Sequence, residues 1–264
     1  MAIGMKIAIL TANETLYLPA FFDNLLSNCD DVRAVFCTSP AHGKKGTRGS
    51  LAKKYIAAFG VVNFMWLALR MASAKIYGLF DFLPTGGAHS IASAARRHGV
   101  LCENVADVND ALFIQKLKAL GVDLIISVSC PQIFEKDLIT LSKMGCLNIH
   151  GAPLPKYRGL LPSFWMMTKG EELAAVTIFL VNEKIDAGDV VLVEHFPIYP
   201  DESLHRFLVR SKRIHCEALL RAITLIDSGA SIKTYPLEIN AGSYFGFPKR
   251  EDYLEFVSKG RSLW

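Results

Sequence analysis

An amide, an imidazole and a carboxylate stand next to turn-forming residues in the second half of this 264-residue chain. The first two are Asn148 and His150, in the run Cys146-Leu147-Asn148-Ile149-His150 that leads into Gly151-Ala152-Pro153-Leu154-Pro155. Alternation along a strand puts both side chains on one face, just before the chain breaks into a Gly/Pro loop. The pair sets a hydrogen-bond donor beside a titratable ring. The carboxylate is Asp186, in Asn182-Glu183-Lys184-Ile185-Asp186-Ala187-Gly188-Asp189, where another apolar run ends in a loop of the same kind. Ligands of open α/β sheets bind outside the carboxyl ends of the strands, so these three residues are placed to donate hydrogen bonds and handle protons where a ligand is met. Taken singly, each has a blander reading: a strand-end His is more often structural, and Asn and Asp readily hold loops through local backbone hydrogen bonds.

The elements that must position them are legible from hydrophobic runs. Ile7-Ala8-Ile9-Leu10 reads as a buried strand and precedes a helix over 18–26, with a second strand at 32–37. Further strands are expected at 122–128, 146–149, 175–181 and 190–196, interleaved with helices near 90–98 and 109–120. Short apolar runs alternating with helices indicate an α/β fold with a mainly parallel, doubly covered sheet. A long closing helix is expected over 203–226, and the tail carries Tyr244, Phe245, Phe247 and Pro248, which should pack on the main body. The organisation expected is a catalytic domain over 1–200, with 201–264 as a C-terminal helix and packed tail.

Composition narrows the class. The hydrophobic fraction of 51% and charged fraction of 20% are those of a folded chain with one main core. A net charge of +4 suits an anionic ligand and falls short of a nucleic-acid-binding face. Cys29, Cys37, Cys102, Cys130, Cys146 and Cys216 show no CxxC pairing and lie mostly in apolar runs, which argues for reduced core thiols, a reducing compartment and no zinc. Residues 1–6 lack the succession of a signal peptide, so a cytoplasmic location is expected. Neither GxGxxG nor a P-loop occurs around Gly43–Gly49 or Gly86-Gly87, and no Ser nucleophile elbow or HExxH helix is found.

The chain resembles the folate-dependent formyltransferases, a family that includes glycinamide ribonucleotide, methionyl-tRNA and sugar-nucleotide N-formyltransferases. Asn148-Ile149-His150, Leu154-Pro155-Lys156-Tyr157-Arg158-Gly159, Val176-Thr177-Ile178 and Ile185-Asp186-Ala187-Gly188-Asp189 carry the likeness, which covers 6–196. The resemblance implies a Rossmann-like formyltransferase fold, catalytic roles for Asn148, His150 and Asp186, 10-formyltetrahydrofolate as formyl donor, and no metal. It also implies a folate cleft lined by Ser129, Gln132, Ile133, Ala152, Pro153, Leu154, Pro155 and Asn182. Ala175 stands where many members have Gly, and Ser127-Val128-Ser129-Cys130-Pro131-Gln132-Ile133 replaces the usual Tyr-Gly-Gln-Ile type of strand end.

In such a transfer the amine attacks the formyl carbon and negative charge grows on the formyl oxygen. Asn148 and a protonated His150 could donate to that oxygen, one such donor being worth about 3 kcal/mol. Asp186 would favour and orient the charged imidazole and assist proton transfer. The tRNA-type enzymes of the family carry a C-terminal barrel for which the residues after 200 leave insufficient room. The acceptor expected is therefore a small-molecule amine, an amino sugar carried on a nucleotide first and an amino-acid-derived amine next, with no specific nucleic acid. A formyltetrahydrofolate hydrolase, a methionyl-tRNA formyltransferase-like enzyme and an idle folate-binding module are the alternatives.

Residues 55–82 have no counterpart in the resemblance. They are apolar on almost every side of a helix, broken by Gly60 and Asn63, and too short for a membrane span of about 20 apolar residues. Core packing, a homodimer interface and a peripheral membrane contact compete. The expectation taken is one or two helices packed largely against protein, beside the substrate entrance; Lys53, Lys54, Arg70, Lys75 and Trp66 speak for the membrane contact.

Overall fold

The computed structural model describes residues 4–39, 48–78, 87–184, 186–228 and 233–264. Residues 43–47 of the Gly- and Lys/Arg-rich loop, 79–82 at the end of the apolar stretch, Gly86 and Ile185 lie outside them. In chain order the elements are β1 (Ile7–Ala12), α1 (Leu18–Ser27), β2 (Val32–Thr38), α2 (Arg48–Phe59), α3 (Val61–Gly78), α4 (Ile91–Arg97), β3 (Leu101–Val105), α5 (Ala111–Leu120), β4 (Leu124–Val128), α6 (Lys136–Ile139) and β5 (Cys146–His150). They continue with β6 (Arg158–Gly159), α7 (Pro162–Lys169), β7 (Leu173–Leu180), β8 (Val190–Pro197), α8 (Leu204–Asp227), β9 (Tyr244–Phe245) and α9 (Arg250–Ser258).

Local chemistry starts and stops the main helices. The Glu14 carboxylate accepts from the backbone N–H groups of Leu16, Tyr17 and Leu18 at 2.6, 2.8 and 2.9 Å, which fixes the turn leading into α1 and satisfies its first orphan donor. Asp110 caps α5 by accepting from Leu112 and Phe113, and Gly121 ends it in the left-handed region. Ser203 caps α8 through the Arg206 N–H.

Seven strands form one sheet in the order β3-β2-β1-β4-β5-β7-β8. From β3 to β5 all neighbours are parallel, whereas β7 runs antiparallel to both β5 and β8. The expected α/β class with a mainly parallel sheet therefore holds. Because β1 and β4 are buried along nearly their whole length, helices must cover both faces. On one face Ile7 and Ile9 pack with Phe22 and Leu25 of α1 and Leu219 and Ile223 of α8. On the other, Ala8, Leu10 and Phe36 pack with Phe113 and Leu117 of α5. A third, aromatic cluster joins Phe59, Phe164, Phe207 and Phe256, so α2, α7, α8 and α9 meet there.

The six cysteines are free thiols. The apolar stretch departs from expectation. Ala58 and Phe59 of α2 are buried, but α3 contains no buried residue, so most of the stretch is displayed instead of packed against protein. No described helix is long and apolar enough to cross a membrane.

Candidate active site

Asn148 and His150 occupy the last turn of the pleat in β5, and the register sets Asn148 beside Ser127 of β4 and His150 beside Thr177 of β7. The two side chains line one cleft of about 660 Å³, together with Asp186 and Lys212, a volume in the range of small-molecule sites. The Asn148 side chain makes no hydrogen bond to any described residue. Its amide is available to a ligand.

His150 is 7% exposed, and its Nε2 lies 2.9 Å from the Tyr157 carbonyl oxygen. Only an N–H can satisfy that carbonyl, so Nε2 carries the proton. Tyr157 has φ 59, a left-handed conformation that is uncommon for a non-glycine residue. Nδ1 remains, 3.9 Å from Asp186 Oδ1. Nδ1 is thus the nitrogen left to face Asp186 and the cleft, and it carries a second N–H whenever the ring is protonated. In the neutral ring Nδ1 is the nitrogen without a proton, able to accept one, with Asp186 beyond it to stabilise the imidazolium. Asp186 itself adopts φ 48, and its Oδ2 accepts from the Gly159 N–H at 3.2 Å.

The path of the Asp186 loop differs from expectation. β7 is antiparallel, so Leu180 pairs with Leu147 and the loop leaves near the start of β5, away from His150. It reaches the imidazole by folding back over the sheet. Gly188 makes this geometry feasible, since a methyl there would overlap the Leu180 carbonyl oxygen. Asn182 staples the loop: it donates to Ala187 O at 3.0 Å and accepts from Lys184 N at 2.9 Å.

The expected folate contacts divide. Ser129, Gln132, Ile133 and Asn182 line the cleft. The Gln132 amide, however, is consumed internally: it donates to Thr38 Oγ1, Ser39 O and Ala106 O and accepts from Val108 N, so its side chain braces the strand ends. Ala152, Pro153, Leu154 and Pro155 do not line the cleft. Ala152 and Leu154 are buried, because the Thr177 hydroxyl donates to Ala152 O at 2.7 Å and accepts from Leu154 N at 3.2 Å. That loop is thereby tied to β7 just beyond His150. Lys156 and Arg158 also lie off the cleft wall.

Two cleft residues escaped the sequence reading, Lys212 and His215 on α8. His215 is 7% exposed, packs against Gly151, and its buried Nε2 has no hydrogen-bond partner. Burial first, then the nearby Lys212 and His150, hold its pKa well below the ordinary histidine value, so the ring is neutral. Burial also lowers the Lys212 ammonium, opposed by Glu14, and no ion pair joins Lys212 to any described residue. Phe207, Ser211, His215, Leu219 and Ala222 repeat at helical spacing on the buried face of α8, which marks His215 as buried, whereas Lys212 stands outside that set and had no signal in the sequence.

The formyl transferase family model matches residues 5–223. The methionyl-tRNA formyltransferase of Syntrophus aciditrophicus (strain SB) is 33% identical over 147 residues, 56% of this chain and 47% of that protein. That of Anaeromyxobacter dehalogenans (strain 2CP-1 / ATCC BAA-258) is 35% identical over 138 residues, 52% of this chain and 44% of its own. The chain thus spans about half the length of the curated relatives it matches. Among solved structures, glycinamide ribonucleotide transformylase 1 from Symbiobacterium toebii superposes with a TM-score of 0.59 at 16% identity, covering 90% of this chain and 96% of that one. A sugar N-formyltransferase from Shewanella sp FDAARGOS_354 does so at 0.57 and 16%, covering 97% and 87%. At such identities these likenesses speak for the fold, and with the family match over most of the chain they lead to one conclusion: the chain belongs to the formyl transferase family.

Proposed function

We propose that the protein transfers a formyl group from 10-formyltetrahydrofolate to the amine of a small anionic molecule, an amino sugar carried on a nucleotide being the leading candidate. The observation that carries this reading is the meeting of Asn148, His150 and Asp186 at one cleft, with an unengaged amide and a proton-accepting Nδ1. The folate supplies the activated formyl carbon. Residues 129–134, Asn182, Glu183, Lys184 and Asp186 form the wall suited to hold it, with Phe134 and Phe179 giving apolar surface. The Asn148 amide donates to the formyl oxygen as charge develops there. His150 Nδ1 takes the proton that the attacking amine must lose and returns it to the folate nitrogen released when the old C–N bond breaks. The new bond joins the formyl carbon to the acceptor nitrogen, and the products are an N-formyl amine and tetrahydrofolate.

Lys212 and His215 favour an anionic acceptor. The unpaired ammonium attracts a phosphate or carboxylate, and the neutral His215 ring offers a further polar contact from the same helix face. The similarity to methionyl-tRNA formyltransferases supports a second reading, in which the acceptor is an aminoacyl-tRNA. One experiment separates them: incubation with 10-formyltetrahydrofolate and a panel of nucleotide-linked amino sugars, amino acids, glycinamide ribonucleotide and methionyl-tRNA, read by mass spectrometry. A formyl gain on a small anionic amine supports the first reading. A gain on the tRNA alone replaces it with the second, and formate release without acceptor would make the protein a hydrolase.

A further inference from the structure

Helix α3 is turned outward. It is held to the protein by Asn63, which donates to Tyr253 Oη at 2.9 Å and to Phe59 O at 2.8 Å, by the Arg70 guanidinium, which donates to His205 Nε2 at 2.9 Å, and by ring contacts of Phe64 with Tyr55 and of Tyr77 with His89. The face left to solvent is apolar. Val62, Met65, Trp66, Leu69, Ile76 and Tyr77 are all at least half exposed and recur at helical spacing on one stripe. A water-facing helix normally shows the opposite arrangement, and a continuous apolar stripe of this kind marks a surface that meets something.

Charge identifies the occupant. Residues 48–78, which make up α2 and α3, contain Arg48, Lys53, Lys54, Arg70 and Lys75 and not one Asp or Glu. Lys53, Lys54 and Lys75 are exposed and form no ion pair with any described residue. A second copy laid on this face would bring like charges together with no carboxylate from either α2–α3 pair to answer them. An anionic lipid surface answers them directly. Lys53 and Lys54 on the adjoining helix α2, with an apolar stripe on α3 carrying Trp and Tyr, give the pair the composition of a segment lying in the headgroup layer, whereas Lys75 stands by helical spacing on the side of α3 away from the stripe.

We propose that α3 docks the protein on an anionic phospholipid surface, with the stripe from Val62 to Tyr77 in the interfacial layer and Lys53 and Lys54 of α2 supplying the attraction to the headgroups. The docking is peripheral, since α3 remains held to the protein by Asn63 and Arg70. It also has a bearing on the cleft: Arg70 is bonded to His205, and Leu204 and Leu208 in the same segment line the cleft wall. The docked helix therefore holds that wall near the lipid surface.

Co-sedimentation of the full chain with phosphatidylcholine vesicles, with and without phosphatidylglycerol, tests this without reference to the reaction. The wild type is expected to bind only the anionic vesicles, and less in high salt. Neutralising a lysine near the surface weakens binding about fivefold, so K53Q/K54Q should lose about 25-fold, while K75Q, on the far side of α3, should bind as the wild type does. W66E/L69E should lose more than tenfold while keeping the wild-type circular dichroism and thermal midpoint. Failure of the wild type to bind anionic vesicles at millimolar lipid would overturn the proposal. So would unchanged binding by W66E/L69E, or a wild-type dimer in light scattering that this variant converts to monomer, which would make a second copy the occupant.

Discussion

His150 has two nitrogens with two different tasks. The Tyr157 carbonyl fixes the proton on Nε2 and thereby leaves Nδ1 to face Asp186 and the cleft. Because each of the three polar side chains would act on the same transition state, Asn148→Ala, His150→Ala and Asp186→Ala are each expected to lower turnover about a hundredfold or more with the fold intact. Steady-state kinetics on the authentic acceptor checks this, and near-full activity in any variant would remove that residue from the mechanism. His215 contributes a pH dependence of stability. Its native pKa is depressed below the ordinary 6.5, so below that pH the unfolded chain binds the proton and the native chain does not. Stability is fully present above 6.5 and falls as the pH drops. The His205 ring is shifted the same way by burial and Arg70, so His215→Leu should flatten only part of the acid slope. Urea midpoints at neutral and mildly acidic pH would show it; equal slopes in both proteins would count against a neutral buried His215.

At the scale of elements, the site depends on two braced loops. Thr177 is fully buried on β7 and ties down the loop after His150 at both Ala152 and Leu154. Thr177→Val keeps the shape and leaves both backbone groups unpaired, for an expected loss of about 2 kcal/mol, measured by urea unfolding. The second brace is the fold-back of the Asp186 loop. Gly188→Ala forces a methyl onto the Leu180 carbonyl oxygen, so the loop must move and carry the carboxylate away from Nδ1. The variant should lose activity nearly as far as Asp186→Ala while its thermal midpoint falls less than that of a core variant. If kcat/KM stayed at the wild-type level, the loop would not need this path.

For the whole molecule, the aromatic cluster around Phe256 joins the tail to the body. Its ring is fully buried and stacks on Phe164 of α7 at 5.0 Å, while α2 contributes Phe59 to the same cluster. Truncating a buried Phe costs about 3–5 kcal/mol, so Phe256→Ala should lower the urea midpoint of the entire chain in a single transition. A separate early transition, with the remainder unchanged, would instead mean that 201–264 folds as an appendage to 1–200.

Chemistry that resides in a strand or its immediate turn was legible in the residues. Alternation in 146–150 places Asn148 and His150 on one face whatever surrounds them, and period-2 apolar runs against helical ones specify a covered parallel sheet. The resemblance added Asp186, which no local pattern could join to His150. Direction and contact over long separations belonged to the tertiary structure alone. Reversal of β7 forces the Asp186 loop to double back, and the Tyr157 carbonyl selects the imidazole nitrogen that remains free. Packing of α8 over the cleft brings Lys212 and His215 to it from a helix whose periodicity says only that one face is buried. The same limit governed the apolar stretch: hydrophobicity states that α3 must avoid water, and only the placement of Asn63 and Arg70 against the body decides that its apolar side points out.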